Sequence, residues 1–120
     1  MTLEEVIQAD TAAIAPAYPL IIPSGAADEC IVYQLISGTE FGANEYVLPR
    51  VMLKCYAKSY GAAVALANEV RALYYSRHVT VSGVHYRARV TNVYDLPPEA
   101  DTGRYGRGVD VRFAYRNPTS

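Results

Sequence analysis

The first forty-nine residues contain no lysine or arginine, the whole chain contains no tryptophan, and phenylalanine and cysteine occur only twice each. Each shortage excludes something. An N-terminus that carries Glu4 and Glu5 and no early base argues against a cleaved secretory leader, which needs a positive start. No apolar run approaches the roughly 18 residues that a membrane-crossing helix requires. Cys30 and Cys55 sit inside strand-like runs, where buried free thiols are expected rather than a disulfide. His78 and His85 have no cysteine or carboxylate at ligand spacing, so no metal site is expected. The glycines of Gly103-Arg-Tyr-Gly-Arg-Gly108 fall between two strand-like runs. A phosphate-binding loop needs a helix N-terminus after its glycines. No nucleophile motif of the G-x-S-x-G kind occurs. The expectation is a protein with no catalytic, cofactor-binding or metal-binding residues, and not an enzyme.

What is present is unevenly spread. Residues 1–49 hold seven acids, whereas residues 50–120 hold eleven bases and five acids. The halves therefore stand near −7 and +6 although the whole chain is at −1. Such polarity suits head-to-tail contact between copies, a basic surface facing a polyanion, or two halves that neutralise each other locally. Eleven tyrosines stand where a pure core would use phenylalanine and leucine. A side chain with an apolar body and a polar tip suits protein–protein interfaces. With 51% apolar and 19% charged residues, all 120 residues are expected to form a single domain.

The organising stretch runs from Pro49 to Tyr75. Val51, Leu53, Cys55 and Ala57 alternate with Arg50, Met52, Lys54 and Tyr56, which predicts a strand with one buried face. From Ser59 the spacing turns helical. Ala63, Leu66, Ala67, Val70, Leu73 and Tyr74 form one stripe, and Ser59 is placed to cap it. Burying Leu66, Val70 and Leu73 should contribute roughly 1.5–3 kcal/mol each. Upstream, Thr2 and Glu5 form a capping box, and an N-terminal helix and turn occupy residues 1–15. That helix is expected to end near Ala9, with Asp10 capping a second turn, because a bare carboxylate in an apolar stripe is costly. Tyr18 to Ile22 reads as a short edge segment and Cys30 to Ser37 as a strand. Further strands are predicted over Val84–Tyr94 and Val109–Tyr115, with Val79 and Val81 at most a short one inside a turn region. Long loops are expected over residues 38–45 and 96–108, and a tail over 117–120. The fold class is therefore α+β: a four-stranded mixed sheet with two helices packed on one face, a short edge strand and two long loops. The strand–helix–strand unit should be a right-handed parallel crossover if its two strands share a sheet.

If Val51, Val90 and Val111 lie under the helices, the opposite face carries Arg50, Lys54, Arg87, Arg89, Arg112 and Arg116, with Met52, Tyr56 and Val93 between them. An uncovered sheet face must be solvated or covered by a partner. Local ion pairs, such as Asp110 with an arginine, would serve the solvated case.

Several segments together carry a resemblance. They are Ala9-Asp-Thr-Ala-Ala-Ile14, the extended Tyr18–Pro23, Ile31-Val-Tyr-Gln34, the junction Val51-Met-Leu-Lys-Cys-Tyr-Ala-Lys-Ser-Tyr60 leading into Ala63-Val-Ala-Leu-Ala67, and the closing Val109-Asp-Val-Arg-Phe-Ala-Tyr115. Their order resembles the tail-terminator, or tail-completion, proteins of long-tailed, siphovirus-type bacteriophages. The match covers nearly the whole chain and consists of apolar patterns rather than a signature. The resemblance implies a virion protein of the tail or neck, assembled in the host cytoplasm. It implies a homohexameric ring that caps the head-proximal end of the tail tube, ends tube polymerisation and joins tail to head. Expected partners are other copies of the chain, the tail tube protein and the head connector or neck protein; DNA passes transiently, and no membrane or cofactor is involved. Candidate interface residues are Asp28, Glu29, Glu40, Phe41, Arg87, Arg89, Arg104, Tyr105 and Arg112. Arg50, Lys54 and Arg116 are candidates for a lumen or basic sheet face. If that face lies between subunits, Arg87, Arg89 and Arg112 would meet acids such as Asp28, Glu29 or Glu40. The alternatives are another head–tail neck or head-completion protein, or a small α/β nucleic-acid-binding module that uses the basic face.

Overall fold

A computed structural model describes residues 3–37, 40–41, 46–81 and 83–116. The elements are α1 (Leu3–Thr11), β1 (Ala17–Pro19), β2 (Cys30–Ser37), β3 (Glu40–Phe41), β4 (Tyr46–Val47), β5 (Arg50–Ala57), α2 (Tyr60–Tyr74), β6 (Arg77–Val81), β7 (Val84–Glu99) and β8 (Arg104–Arg116). The Thr2 cap, most of the loop expected over 38–45, and the tail from 117 lie outside the described residues; within that loop, 40–41 form β3.

The expected four-stranded sheet is wrong. Six strands run in the order β1-β2-β5-β8-β7-β6 as a curled half-barrel, and the two-residue β4 and β3 extend it beside the far end of β8. Only β1 and β2 are parallel; the other pairs are antiparallel. The two strands of the expected crossover, β5 and β7, do run parallel, since both are antiparallel to β8 in one sheet, but they are not neighbours. The helix leads into β6, which folds back on β7, and β8 lies between β5 and β7. The broad α+β class stands, with two helices against one mixed sheet.

The second correction concerns residues 96–108, which form no loop. β7 continues to Glu99, β8 begins at Arg104, and the turn between them holds Gly103 at φ 69°, a left-handed conformation suited to glycine. Pro97 and Pro98 fall where the ladder slips between Leu96 and Glu99, so neither must donate to a regular ladder.

The core follows the alternation and the helical stripe. Val51, Leu53 and Cys55 of β5 and Val109, Val111 and Phe113 of β8 meet Leu66, Ala67, Val70 and Tyr74 of α2 and Leu3, Val6 and Ile7 of α1. Ser59 caps α2 by accepting from the Ala62 N–H at 3.1 Å. Tyr74 stacks edge-on against Phe113, with ring centroids 5.5 Å apart. Cys30 and Cys55 are buried and free, and burial pushes the Cys55 thiol up to about 12.

Asp10 does not cap a second turn; it belongs to α1. Its nearly buried carboxylate accepts from the Arg77 guanidinium at 2.9 Å and from the Tyr74 hydroxyl at 3.3 Å. The cost that argued against a helical Asp10 is thus met by partners from α2 and β6, more than sixty residues away in sequence. Removing the carboxylate strands both donors, so Asp10→Ala should destabilise by about 1–3 kcal/mol in urea unfolding, and a change under 0.5 kcal/mol, roughly the surface level, would contradict this. Burial, and then Asp10, also raise the Tyr74 phenol above its ordinary value. The folded state therefore holds that proton more tightly than the unfolded chain. Its contribution is fully present below about pH 10 and is lost as pH rises further. Urea midpoints at pH 8 and pH 10.5 should show this alkaline loss, and Tyr74→Phe should reduce it.

Candidate interface on the second sheet face

The face turned away from the helices is built from alternate residues of β2, β5, β8 and β7. Register places Arg50, Met52, Lys54 and Tyr56 opposite Arg112, Asp110, Gly108 and Gly106 of β8. On the other side of β8 lie Arg89, Asn92, Tyr94 and Leu96. A bulge at Thr91 reverses the strict alternation of the sequence reading. Val93 turns to the core and Asn92 takes its place on this face.

Half of the face is covered by the molecule itself. A Cβ on Gly108 would lie 2.5 Å from the Tyr94 ring, and one on Gly106 would lie 2.7 Å from the Tyr56 ring. Two tyrosines therefore lie across the two glycines as a roof. Beside them Cys30 and Val32 are buried, and the segment after β1 passes over, leaving a ≈310 Å³ cavity lined by Leu20, Ile22, Val32, Lys54 and Tyr56 among others. Arg104, at the start of β8, is 6% exposed. Its guanidinium donates to the carbonyls of Ala26, Ala27 and Asp28 at 3.1, 2.8 and 3.2 Å and so clamps the loop before β2.

Asp110 marks the boundary. It is 7% exposed, accepts from the Tyr94 hydroxyl at 2.7 Å, and stands 4.0 Å from the Arg50 guanidinium. Burial, and then this hydrogen bond, raise the Tyr94 phenol above its ordinary value.

Beyond Asp110 the described residues of the face are basic and half-buried to exposed. Arg50 and Arg89 both pair in register with Arg112, so three arginines stand side by side on three adjacent strands. Like charges directly opposite each other across a sheet are destabilising. Among the described residues the row has one carboxylate in reach, Asp110, and only Arg50 reaches it. Arg87 extends the patch along β7. A groove of ≈460 Å³ runs between Arg87, Arg89, Arg112 and His78 over a floor that includes Leu48 and Ala114. At its margin His78 Nδ1 and His85 Nε2 are 3.3 Å apart, and Thr80 Oγ1 is 3.1 Å from His85 Nδ1. Two imidazoles fall short of a four-ligand set, and no third ligating side chain joins them among the described residues.

Of the candidate residues, the structure gathers Arg50, Arg87, Arg89 and Arg112. Lys54 sits two rows away in the covered half, beside Gly108. Arg104 is a buried clamp, not a displayed charge. Tyr105 is 41% exposed and pairs with Ala57 at the end of β5. Asp28 and Glu29 are exposed on the clamped loop, with no ion pair among the described residues. Arg116 pairs with Tyr46 through the backbone. The roles expected of the Arg116, Glu40 and Phe41 side chains fall outside the described set. Sequence reasoning anticipated an ion pair of Asp110 with an arginine, but missed its bond to Tyr94, the Tyr94 roof and the Arg104 clamp. The only signals were two glycines spaced for one face of a strand.

Gly108→Ala should displace Tyr94, break its bond to Asp110 and cost about 1–3 kcal/mol by urea unfolding. Retention of full stability would show that the roof is not packed as described. No protein-family model and no curated protein matches this chain.

Proposed function

We propose that this chain is a phage tail-terminator protein, assembling as a hexameric ring that caps the head-proximal end of the tail tube, halts tube growth and joins tail to head. The observation that carries the reading is the basic half of the second sheet face. An arginine row with one carboxylate in reach among the described residues is a surface suited to being covered. The order of elements from α1 through the β5–α2 junction to the closing β8 supports the family. The elongated shape, 46 × 25 × 21 Å, suits a subunit that contacts neighbours at its two ends. Chemistry plays no part in this role: the work is done by shape and by sites for other proteins.

The purified protein mixed with tail tubes should give particles of about six times the 13.2 kDa chain mass by mass photometry. Negative-stain images should show these particles at one end of each tube, with tube length capped. Particles at the connector and never at tube ends would favour a head-completion role instead. Monomers that leave tube length unchanged would refute the proposal.

A further inference from the structure

We infer that the arginine groove is the receptor for the acidic corner of a second copy, Asp28 and Glu29, which Arg104 holds in place. The inference rests on the self-assembly part of the proposed function and names the two surfaces that would meet.

Three observations carry it. The first is the groove's unmet charge. Arg89 and Arg112 are adjacent in register, Arg87 lies beside them, and none of the three has an ion pair among the described residues. The second is the nature of the corner. Asp28 and Glu29 are exposed and unpaired among the described residues, and three carbonyls of residues 26–28 are fixed by a buried guanidinium. A carboxylate pair presented on a clamped loop loses less conformational entropy on docking than one on a free loop. The same loop displays Leu20 and Ile21, 64% and 73% exposed, as apolar surface to accompany the acids over the groove's Leu48 and Ala114 floor.

The third observation is placement. Arg104, which holds the corner, and Arg112, in the groove, stand eight residues or about 27 Å apart along β8. One molecule cannot close that gap on itself, and the contact must join two copies. A patch that binds a different patch on the next copy gives a head-to-tail chain, which closes as a ring when the rotation permits. Nucleic acid is the rival occupant of a basic groove. Single-strand binding relies on aromatic stacking, and among the described residues the groove lining contains no tyrosine or phenylalanine.

The test is reciprocal charge reversal in the full chain. Arg89→Glu with Arg112→Glu gives one variant, and Asp28→Arg with Glu29→Arg gives the other. All four side chains are at least partly exposed, so both variants should keep the wild-type circular dichroism spectrum and melting temperature. Sedimentation should show self-association about tenfold weaker or more in each variant alone. An equimolar mixture of the two should recover assembly, because each reversed groove then meets a reversed corner. Self-association of the wild type should weaken with added salt. Variants that assemble like the wild type, or folded variants whose mixture stays monomeric, overturn the inference. So does a wild type that remains monomeric throughout, or one whose groove binds DNA with a salt-dependent affinity lost on arginine reversal. Capping of tubes by unaffected variants would sink this contact and leave the ring standing. Rescue in the mixture without any binding to tubes would do the reverse.

Discussion

Everything on the second sheet face depends on two positions of β8 having no side chain. Gly106 and Gly108 let the rings of Tyr56 and Tyr94 lie directly on the backbone. That contact covers one half of the face, buries Asp110 beside the Tyr94 hydroxyl, and leaves the next residue along the same face, Arg112, half-buried and with no ion pair among the described residues. The other face of the same strand carries Val109, Val111 and Phe113 into the core. One thirteen-residue strand thus sets the core on one side and divides the other into a roofed half and a basic one.

Several of the tyrosines serve the packing of this molecule itself. Tyr74 donates to Asp10, Tyr94 donates to Asp110, and Tyr33 accepts from Gln8. In each case a ring fills apolar space while the hydroxyl satisfies a polar group at the margin of the core, which phenylalanine cannot do. Only Tyr60, Tyr75 and Tyr105 are strongly exposed among the described tyrosines, and the Tyr60 hydroxyl already bonds Asp95.

The β5–α2 unit was legible because its patterns are local. The period-two run 51–57, the Ser59 cap and the stripe from Ala63 to Tyr74 all stand in the structure. What the sequence hid depends on pairing. Prolines and glycines between 96 and 108 read as a loop, whereas their places at a bulge, a hairpin turn and under two tyrosine rings are visible only once β7 and β8 are in register. The β6 strand, Arg77–Val81, is short and only half-buried, so it carries little hydrophobic signal. One bulge residue, Thr91, exchanged the faces of Val93 and Asn92. Asp10 looked like a helix stop because its partners, Tyr74 and Arg77, are remote in sequence. The basic face was half legible. Arg50, Arg89 and Arg112 fall on it by alternation, but their alignment in one row, and the removal of Arg104 to a buried clamp, are matters of register and loop path.

The central claim is that the arginine half of this face is covered in the working state. Arginine-selective labelling with phenylglyoxal, read by peptide mass spectrometry, measures that cover directly on free protein and on protein mixed with tail tubes. Arg71 on the exposed side of α2 provides the internal reference. The account predicts that Arg89 and Arg112 lose reactivity on assembly while Arg71 keeps its own. Equal labelling of all three before and after assembly would contradict it.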